Sequence, residues 1–287
     1  MTRRILIASG GTGGHIFPAI VFGKNLQDNG DTVEWLCGSR ELERTIYNSS
    51  GIEPVCLPLA GSPMGTRSPA KIFGRIVDVF RSITMTSRLI KTFRPDEVYL
   101  FGGYISFAPL IVAKMKRIPV TLHEQNTVAG RVARLASKMG ARIITGWPVC
   151  EGIKRFEYIG IPVREPVRMA RAEALRTLGL DIPEESKIVG VAGGSLGSGP
   201  LSELLKKAAK LCTGYDFVFL SSKVREDVGN MHFIPSQWDM SAFYSASDIL
   251  VCRAGGSTLA EALKWGMPAI TISWPGAMDN HHREECS

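Results

Sequence analysis

Residues 5–20, ILIASGGTGGHIFPAI, set an apolar run, four glycines, a threonine and a histidine in immediate succession. Ile5-Leu6-Ile7-Ala8 reads as a short buried strand, and HIFPAIVFGKNL (15–26) has the apolar spacing of a helix, so the glycines form a strand-to-helix turn. Such a turn is a seat for an anion. Without Cβ atoms the backbone approaches a ligand closely, and the N–H groups at the helix start point at negative charge. The glycines alone are equally those of a plain tight βα turn. His15, at its mouth, adds a titratable imidazole where a bound substrate would meet it.

Outward from this stretch, short apolar runs alternate with helical patterns, the mark of a parallel α/β architecture. The first half predicts strands at 4–9, 32–36, 97–101, 119–123 and 141–145, and the second at 187–192, 216–221, 248–252 and 268–273. The second half also opens like the first: KIVGVAGGSLGSGPLSELLKKAAKL is strand, glycine turn and helix, with Pro200 in the first helical turn, where its missing N–H costs little. Two Rossmann-type domains are therefore predicted, 1–160 and 161–287, joined near YIGIPVREPVR (158–168). The ligand is expected in the cleft where the strand C-termini of both sheets face each other. Neither glycine turn is followed by the ribose-binding acid of the dehydrogenase pattern, which argues against a nicotinamide cofactor.

At 287 residues and 45% hydrophobic, the chain can bury a core in each domain. The six cysteines are scattered without a C-x-x-C pair, so neither a zinc site nor a disulfide framework is signalled, a pattern that suits a reducing cytosol. The apolar run after the two N-terminal arginines is far too short for an export leader, and no apolar segment approaches the roughly 20 residues a bilayer requires, so neither export nor a membrane span is expected. Charge is unevenly placed: residues 1–160 hold 21 Lys and Arg against 12 Asp and Glu, the remainder 13 against 15. The first half thus faces something acidic, for which nucleic acid, anionic lipid and a phosphate-bearing substrate compete with plain solvated surface.

Four further stretches end predicted strands: GGYIS (102–106), HEQN (123–126), GGSLG (193–197) and RAGGSTLAE (253–261). Each alone is an ordinary turn, but the C-terminal edge of an open parallel sheet is its functional edge. Taken in order with GIPVR (160–164) and the DNHH near the end (279–282), the set resembles the MurG family of GT-B glycosyltransferases, from residue 5 to the end of the chain. That resemblance implies inverting transfer of N-acetylglucosamine from UDP-N-acetylglucosamine to the 4-hydroxyl of a lipid-linked N-acetylmuramyl-pentapeptide. This is the lipid I to lipid II step of peptidoglycan synthesis, tied to cell shape and division. It also implies a peripheral position on the cytoplasmic side of the inner membrane.

The resemblance assigns the donor to the C-terminal domain and the acceptor to the N-terminal one. Glu261 would accept hydrogen bonds from the ribose hydroxyls, and the backbone of Gly256, Ser257, Thr258, Leu259 and Ala260 would start the helix that meets the diphosphate. An N-capped helix with an early acid is the plain alternative. Ser195 would donate to a phosphate oxygen, Arg164 and Gln237 would lie near the uracil, and Asn126 and His281 near the donor sugar, with Thr12, Gly13 and Gly14 completing the donor set. Gly103, Tyr104 and Glu124 fall on the acceptor side. His15 is the candidate general base, with His123 and Glu124 as alternatives. HEQN lacks the H-E-x-x-H spacing of a zinc site, and no obligatory metal or other cofactor is expected.

Residues 68–95 read as an amphipathic helix capped by Ser68, opened by Pro69 and closed by Pro95. Ile72, Phe73, Ile76, Val79, Phe80 and Ile83 make one apolar stripe, and seven basic residues from Arg67 to Arg94 stand against the single acid Asp78. A helix packed on its sheet would look similar. Membrane docking through Lys71, Phe73, Arg75 and Phe80 is the functional reading, and the absence of an aromatic stacking platform argues against nucleic acid.

Three departures from the family pattern stand out. The chain ends at DNHHREECS, earlier than the family continues, so a shortened C-terminal domain is expected. His281-His282 stand where glutamine is usual, and Ser198 and TGWP (145–148) differ from the usual wording. Two alternatives follow: a GT-B transferase with a different lipid or glycan acceptor, or a catalytically weak sugar-nucleotide-binding protein.

Overall fold

A computed structural model describes residues 2–61, 68–193, 199–221 and 227–272. The chain divides into two units, Met1–Pro162 and a second beginning at Val163, each with its own parallel sheet.

The first unit runs β1 (Arg4–Ala8), α1 (Gly13–Asp28), β2 (Thr32–Cys37), α2 (Glu41–Ser49), β3 (Val55–Cys56), α3 (Pro69–Phe93), β4 (Glu97–Leu100), a single 3-10 turn (Tyr104–Ser106), α4 (Phe107–Met115), β5 (Val120–Glu124), α5 (Arg131–Lys138), β6 (Arg142–Thr145) and β7 (Glu157–Tyr158). Its strands lie in the order β3-β2-β1-β4-β5-β6-β7. Ile5, Leu6, Ile7 and Ala8 are wholly buried, as a central parallel strand covered on both faces requires. The order reverses beside β1, and it is there that the first glycine turn leaves the sheet.

The second unit runs α6 (Arg171–Leu178), β8 (Ile188–Ala192), α7 (Gly199–Leu211), β9 (Asp216–Ser221), β10 (Met231–Pro235), α8 (Ser241–Ala246), β11 (Ile249–Arg253), α9 (Gly256–Trp265) and β12 (Ala269–Ile272). The order β10-β9-β8-β11-β12 repeats the plan of the first sheet. Its core gathers Val189, Val191, Phe217, Phe219 and Val251.

Every predicted strand is present, so the two Rossmann-like units stand as read. Among the described residues, three further strands were missed. β3 and β7 are two-residue edge strands, too short to show periodicity, and β10 carries His232 and ends on Pro235.

Two close approaches shape the first unit. A Cβ at Gly23 would lie 2.1 Å from Trp35 Cη2 and 2.7 Å from Ile7 Cδ1, so α1 comes down on β1 and β2 only because residue 23 has no side chain. Cys37 and Cys56, 19 residues apart in sequence, are register partners on β2 and β3 with their Sγ atoms 3.3 Å apart. The scattered spacing had hidden that pair.

The single stripe expected on α3 is corrected to two faces. Val79 and Ile83, with Leu89 and Phe93, pack on the core, and Ser82, Thr86 and Ile90 are buried. Phe73, Ile76 and Phe80 face outward, 71%, 41% and 66% exposed. At 100° per residue a run this rich in apolar residues covers more of the helix than one interface can bury.

Candidate active site

The C-terminal edge of the first sheet brings together two glycine turns. Thr12 is the N-cap of α1, and its carbonyl accepts from the His15 and Ile16 amides. Thr12 Oγ1 stands 3.4 Å from His15 Nδ1. On the other side, Gly102 and Gly103 follow β4 with φ of 76° and 71°, a region where a side chain would be strained. They leave room for the imidazole: a Cβ at Gly102 would lie 3.2 Å from His15 Cδ2 and 3.4 Å from Nε2, and one at Gly103 4.0 Å from Nδ1. His15 therefore occupies a slot between GGTGG and GGY, half-buried, and Tyr104 borders the same slot through Gly11.

Beneath the slot lies a residue that sequence reading missed. Glu43, from the first turn of α2, is wholly buried and accepts the Gly11 amide at 2.8 Å and the Tyr104 hydroxyl, both on Oε1. Oε2 has no hydrogen-bond partner and packs against Gly38 and Gly10, whose Cβ positions lie 2.3 and 3.0 Å away. Burial, and then the Glu43 carboxylate, push the Tyr104 phenol up, which keeps it a donor. Arg40 stacks over the Tyr104 ring at 5.1 Å and reaches the Gly11 carbonyl at 3.4 Å. Nothing in SRELE (39–43) announces this, because the partners are 32 and 61 residues away.

HEQN ends β5, and its residues divide sharply. His123 is buried, stacked on Phe101 at 5.5 Å, with Nε2 2.8 Å from the Gly160 carbonyl and Nδ1 3.1 Å from Gln125 Nε2. Burial pulls its pKa down to about 4. A neutral ring that donates through Nε2 and accepts at Nδ1 satisfies both contacts, so the His123 alternative for the base is set aside. Glu124 is equally committed. Its Oε1 accepts from the Asn126 backbone and side chain at 3.1 and 3.0 Å, and its Oε2 from Gly130 at 2.9 Å. Burial raises its pKa against those bonds. The carboxylate holds the 124–130 loop, with both of its oxygens occupied. Asn126, half-buried, is the member of the motif at the surface, with its amide nitrogen on Glu124.

In the second unit, α9 begins directly after β11, with Gly255 as its N-cap. The first-turn N–H groups of Gly256, Ser257 and Thr258 lie at the positive end of the helix dipole. Leu259 is buried, with its amide on the Gly255 carbonyl at 3.0 Å, and Ala260 is half-buried. Glu261, in the second turn, accepts the Tyr244 hydroxyl at 3.2 Å. Burial raises its pKa, against which Tyr244 and the positive charge of Arg164 act. Arg164 also donates through Nη1 to the Trp238 carbonyl, next to Gln237, whose amide turns back to Pro235 at 2.9 Å. Residues 164, 237 and 261, read separately from the sequence, thus fall in one neighbourhood of one unit. Ser195 and His281 lie outside the described residues, as do Ser198 and His282.

Known proteins share this plan. Residues 5–145 match the glycosyltransferase family 28 N-terminal domain and residues 188–285 its C-terminal domain. The chain is 31% identical, over 98% of its length and 81% of the relative's, to the UDP-N-acetylglucosamine--N-acetylmuramyl-(pentapeptide) pyrophosphoryl-undecaprenol N-acetylglucosamine transferase of Dechloromonas aromatica. A protein of the same name from Xylella fastidiosa is 30% identical over 97% of this chain and 78% of its own. Acinetobacter baumannii MurG superposes with a TM-score of 0.70 at 23% identity, covering 99% of this chain and 82% of that one. A UDP-GlcNAc 2-epimerase from Neisseria meningitidis, solved with UDP-GlcNAc, does so at 0.62 and 17%, covering 98% and 84%. The GT-B fold expected from the motifs agrees with these likenesses. With its two sheets built on one plan and both halves matched in order, the chain belongs to glycosyltransferase family 28.

Proposed function

We propose that this chain is an inverting glycosyltransferase that moves N-acetylglucosamine from UDP-N-acetylglucosamine to the 4-hydroxyl of lipid-linked N-acetylmuramyl-pentapeptide, converting lipid I to lipid II in peptidoglycan synthesis. One observation carries the reading: the similarity to the Dechloromonas transferase runs over 98% of this chain, through every motif that ends a central strand.

The chemistry follows from the groups in place. As the acceptor hydroxyl attacks the anomeric carbon, its proton must leave, and His15 is the titratable group in the slot between the glycine turns. Charge grows on the departing UDP, and the N-terminus of α9 stabilises it. Glu261 accepts from the ribose hydroxyls, and Arg164 and Gln237 lie toward the base. With the diphosphate met by backbone amides and helix dipoles, the reading calls for no obligatory metal.

The acceptor's lipid tail must stay in a bilayer. No described helix is long and apolar enough to cross one. The outward face of α3, with Phe73 and Phe80 exposed among Lys71, Arg75 and Arg81, suits docking on anionic lipid, at roughly 1 kcal/mol per basic residue near the surface. A peripheral position on the cytoplasmic face of the inner membrane, with no nucleic-acid partner, belongs to the same reading.

The test is transfer of radiolabel from UDP-N-acetylglucosamine to lipid I, with and without EDTA. Labelled lipid II in both arms supports the reading. Label on another acceptor only points to a different GT-B transferase, and donor binding without turnover to a sugar-nucleotide-binding protein.

A further inference from the structure

We propose that Glu43 is a positioning residue for the transfer reaction: by holding the Gly11 amide and the Tyr104 hydroxyl on one carboxylate oxygen, it ties the two glycine turns together and fixes the slot that contains His15. The proposal rests on the functional reading above in assigning the slot to proton removal, but its geometry is independent of it.

The two turns leave different strands, β1 and β4, and glycine makes both intrinsically loose. Gly11, Gly102 and Gly103 adopt φ of 95°, 76° and 71°, conformations that glycine enters and leaves at little cost, so the turns themselves do not fix their own separation. Glu43 Oε1 accepts a hydrogen bond from each turn. Its carboxylate is wholly buried, so both bonds form away from water, where charge-assisted hydrogen bonds are strongest.

The imidazole is in van der Waals reach of all three glycine positions. A change in the separation of the turns therefore moves His15 relative to any acceptor hydroxyl. Glu43 does not border the slot; Tyr104, Gly11 and Gly102 do. It acts through them. A buried carboxylate with one unpartnered oxygen is a costly group to keep in a core, and apolar side chains of similar size would pack there without that cost. What it supplies beyond packing is the paired acceptor.

The experiment compares wild type with Glu43→Ala, Glu43→Gln, Tyr104→Phe and the double variant Glu43→Ala/Tyr104→Phe. In transfer assays, Glu43→Ala is expected to lower kcat by about 10- to 100-fold, the scale of a misplaced reacting group, with KM for UDP-N-acetylglucosamine within about twofold. Gln keeps a carbonyl oxygen able to accept both bonds, so Glu43→Gln is expected to recover most of the loss. The double variant should be no worse than Glu43→Ala alone.

NMR supplies a readout that needs no turnover. The Gly11 amide proton and the His15 ring signals should move in Glu43→Ala and return toward wild type in Glu43→Gln. Should Glu43→Ala fail to fold, Glu43→Gln and Tyr104→Phe carry the comparison, with His15 signals displaced in Tyr104→Phe and kept in Glu43→Gln. A Gln variant as impaired as Ala, strictly additive losses, or Gly11 and His15 signals indifferent to residue 43 would overturn the proposal. An inactive wild type would defeat the functional reading instead, and the NMR comparison would still judge Glu43.

Discussion

The Tyr244 hydroxyl donates to Glu261 Oε2 across 3.2 Å, inside the second unit, and it supports a carboxylate that burial holds above its ordinary range. Ribose hydroxyls need the ionised form as acceptor. UDP affinity is therefore expected to fall on acidification through a midpoint above that of a free glutamate, and Glu261→Gln should flatten the profile. Glu261→Ala should cost about 1.5–3 kcal/mol of UDP binding by calorimetry. For folding the sign is opposite: a raised carboxyl pKa contributes stability below the unfolded value that is lost as pH rises through the folded one. Tyr244→Phe removes a bond to the charged form and should shift the binding midpoint further up.

His15→Ala is expected to lower kcat by about 100-fold or more, with UDP affinity nearly unchanged. His15 lies in the first unit and the start of α9 in the second, so the proposed reading separates the two effects. Steady-state kinetics beside UDP calorimetry checks this. A parallel loss of donor affinity would move His15 into the donor site.

On α3, Phe73→Ser and Phe80→Ser should leave the melting temperature close to wild type, since exposed positions away from special features shift stability by about 0.5 kcal/mol or less. Both should weaken co-sedimentation with anionic vesicles at high salt, where the apolar contribution remains. Lys71→Glu with Arg75→Glu should weaken it at low salt, before screening does the same to wild type. Val79→Ser, on the core side, should instead lower the melting temperature. Equal pelleting of all variants would place docking elsewhere.

Acid should find His123. Its folded pKa lies near 4 against an ordinary 6.5, so the stability it contributes is complete above 6.5 and is lost as pH falls toward 4. The full difference is on the order of 3 kcal/mol. Denaturant melts at pH 7 and pH 4.5, compared between wild type and His123→Asn, test this, the variant showing the smaller drop.

The parts of the fold that were legible are those where local pattern and burial coincide. β1 and β8 are covered on both faces and read as nearly unbroken apolar runs, while β5 is buried along its whole length although it carries Thr121, His123 and Glu124. β3 and β7 exist because a neighbour offers free backbone, which no two residues can announce. At the site, glycine turns and the start of α9 were visible as motifs. His15 and His123 look alike in sequence, and only burial separates the half-buried ring from the interior one. Glu43 was invisible because its meaning lies in residues 11 and 104, brought to it by the strand order β2-β1-β4.

The same reasoning gives the contact between Gly23 and Trp35 an evolutionary side. With an added Cβ only 2.1 Å from the indole, a side chain at 23 and a tryptophan at 35 exclude each other at this helix–sheet distance. A lineage that gained alanine at 23 would have to shrink residue 35 or lift α1, and lifting α1 would carry Gly13, Gly14 and His15 with it. Positions 23 and 35 are therefore expected to change together, because α1 ties both to the glycine turn.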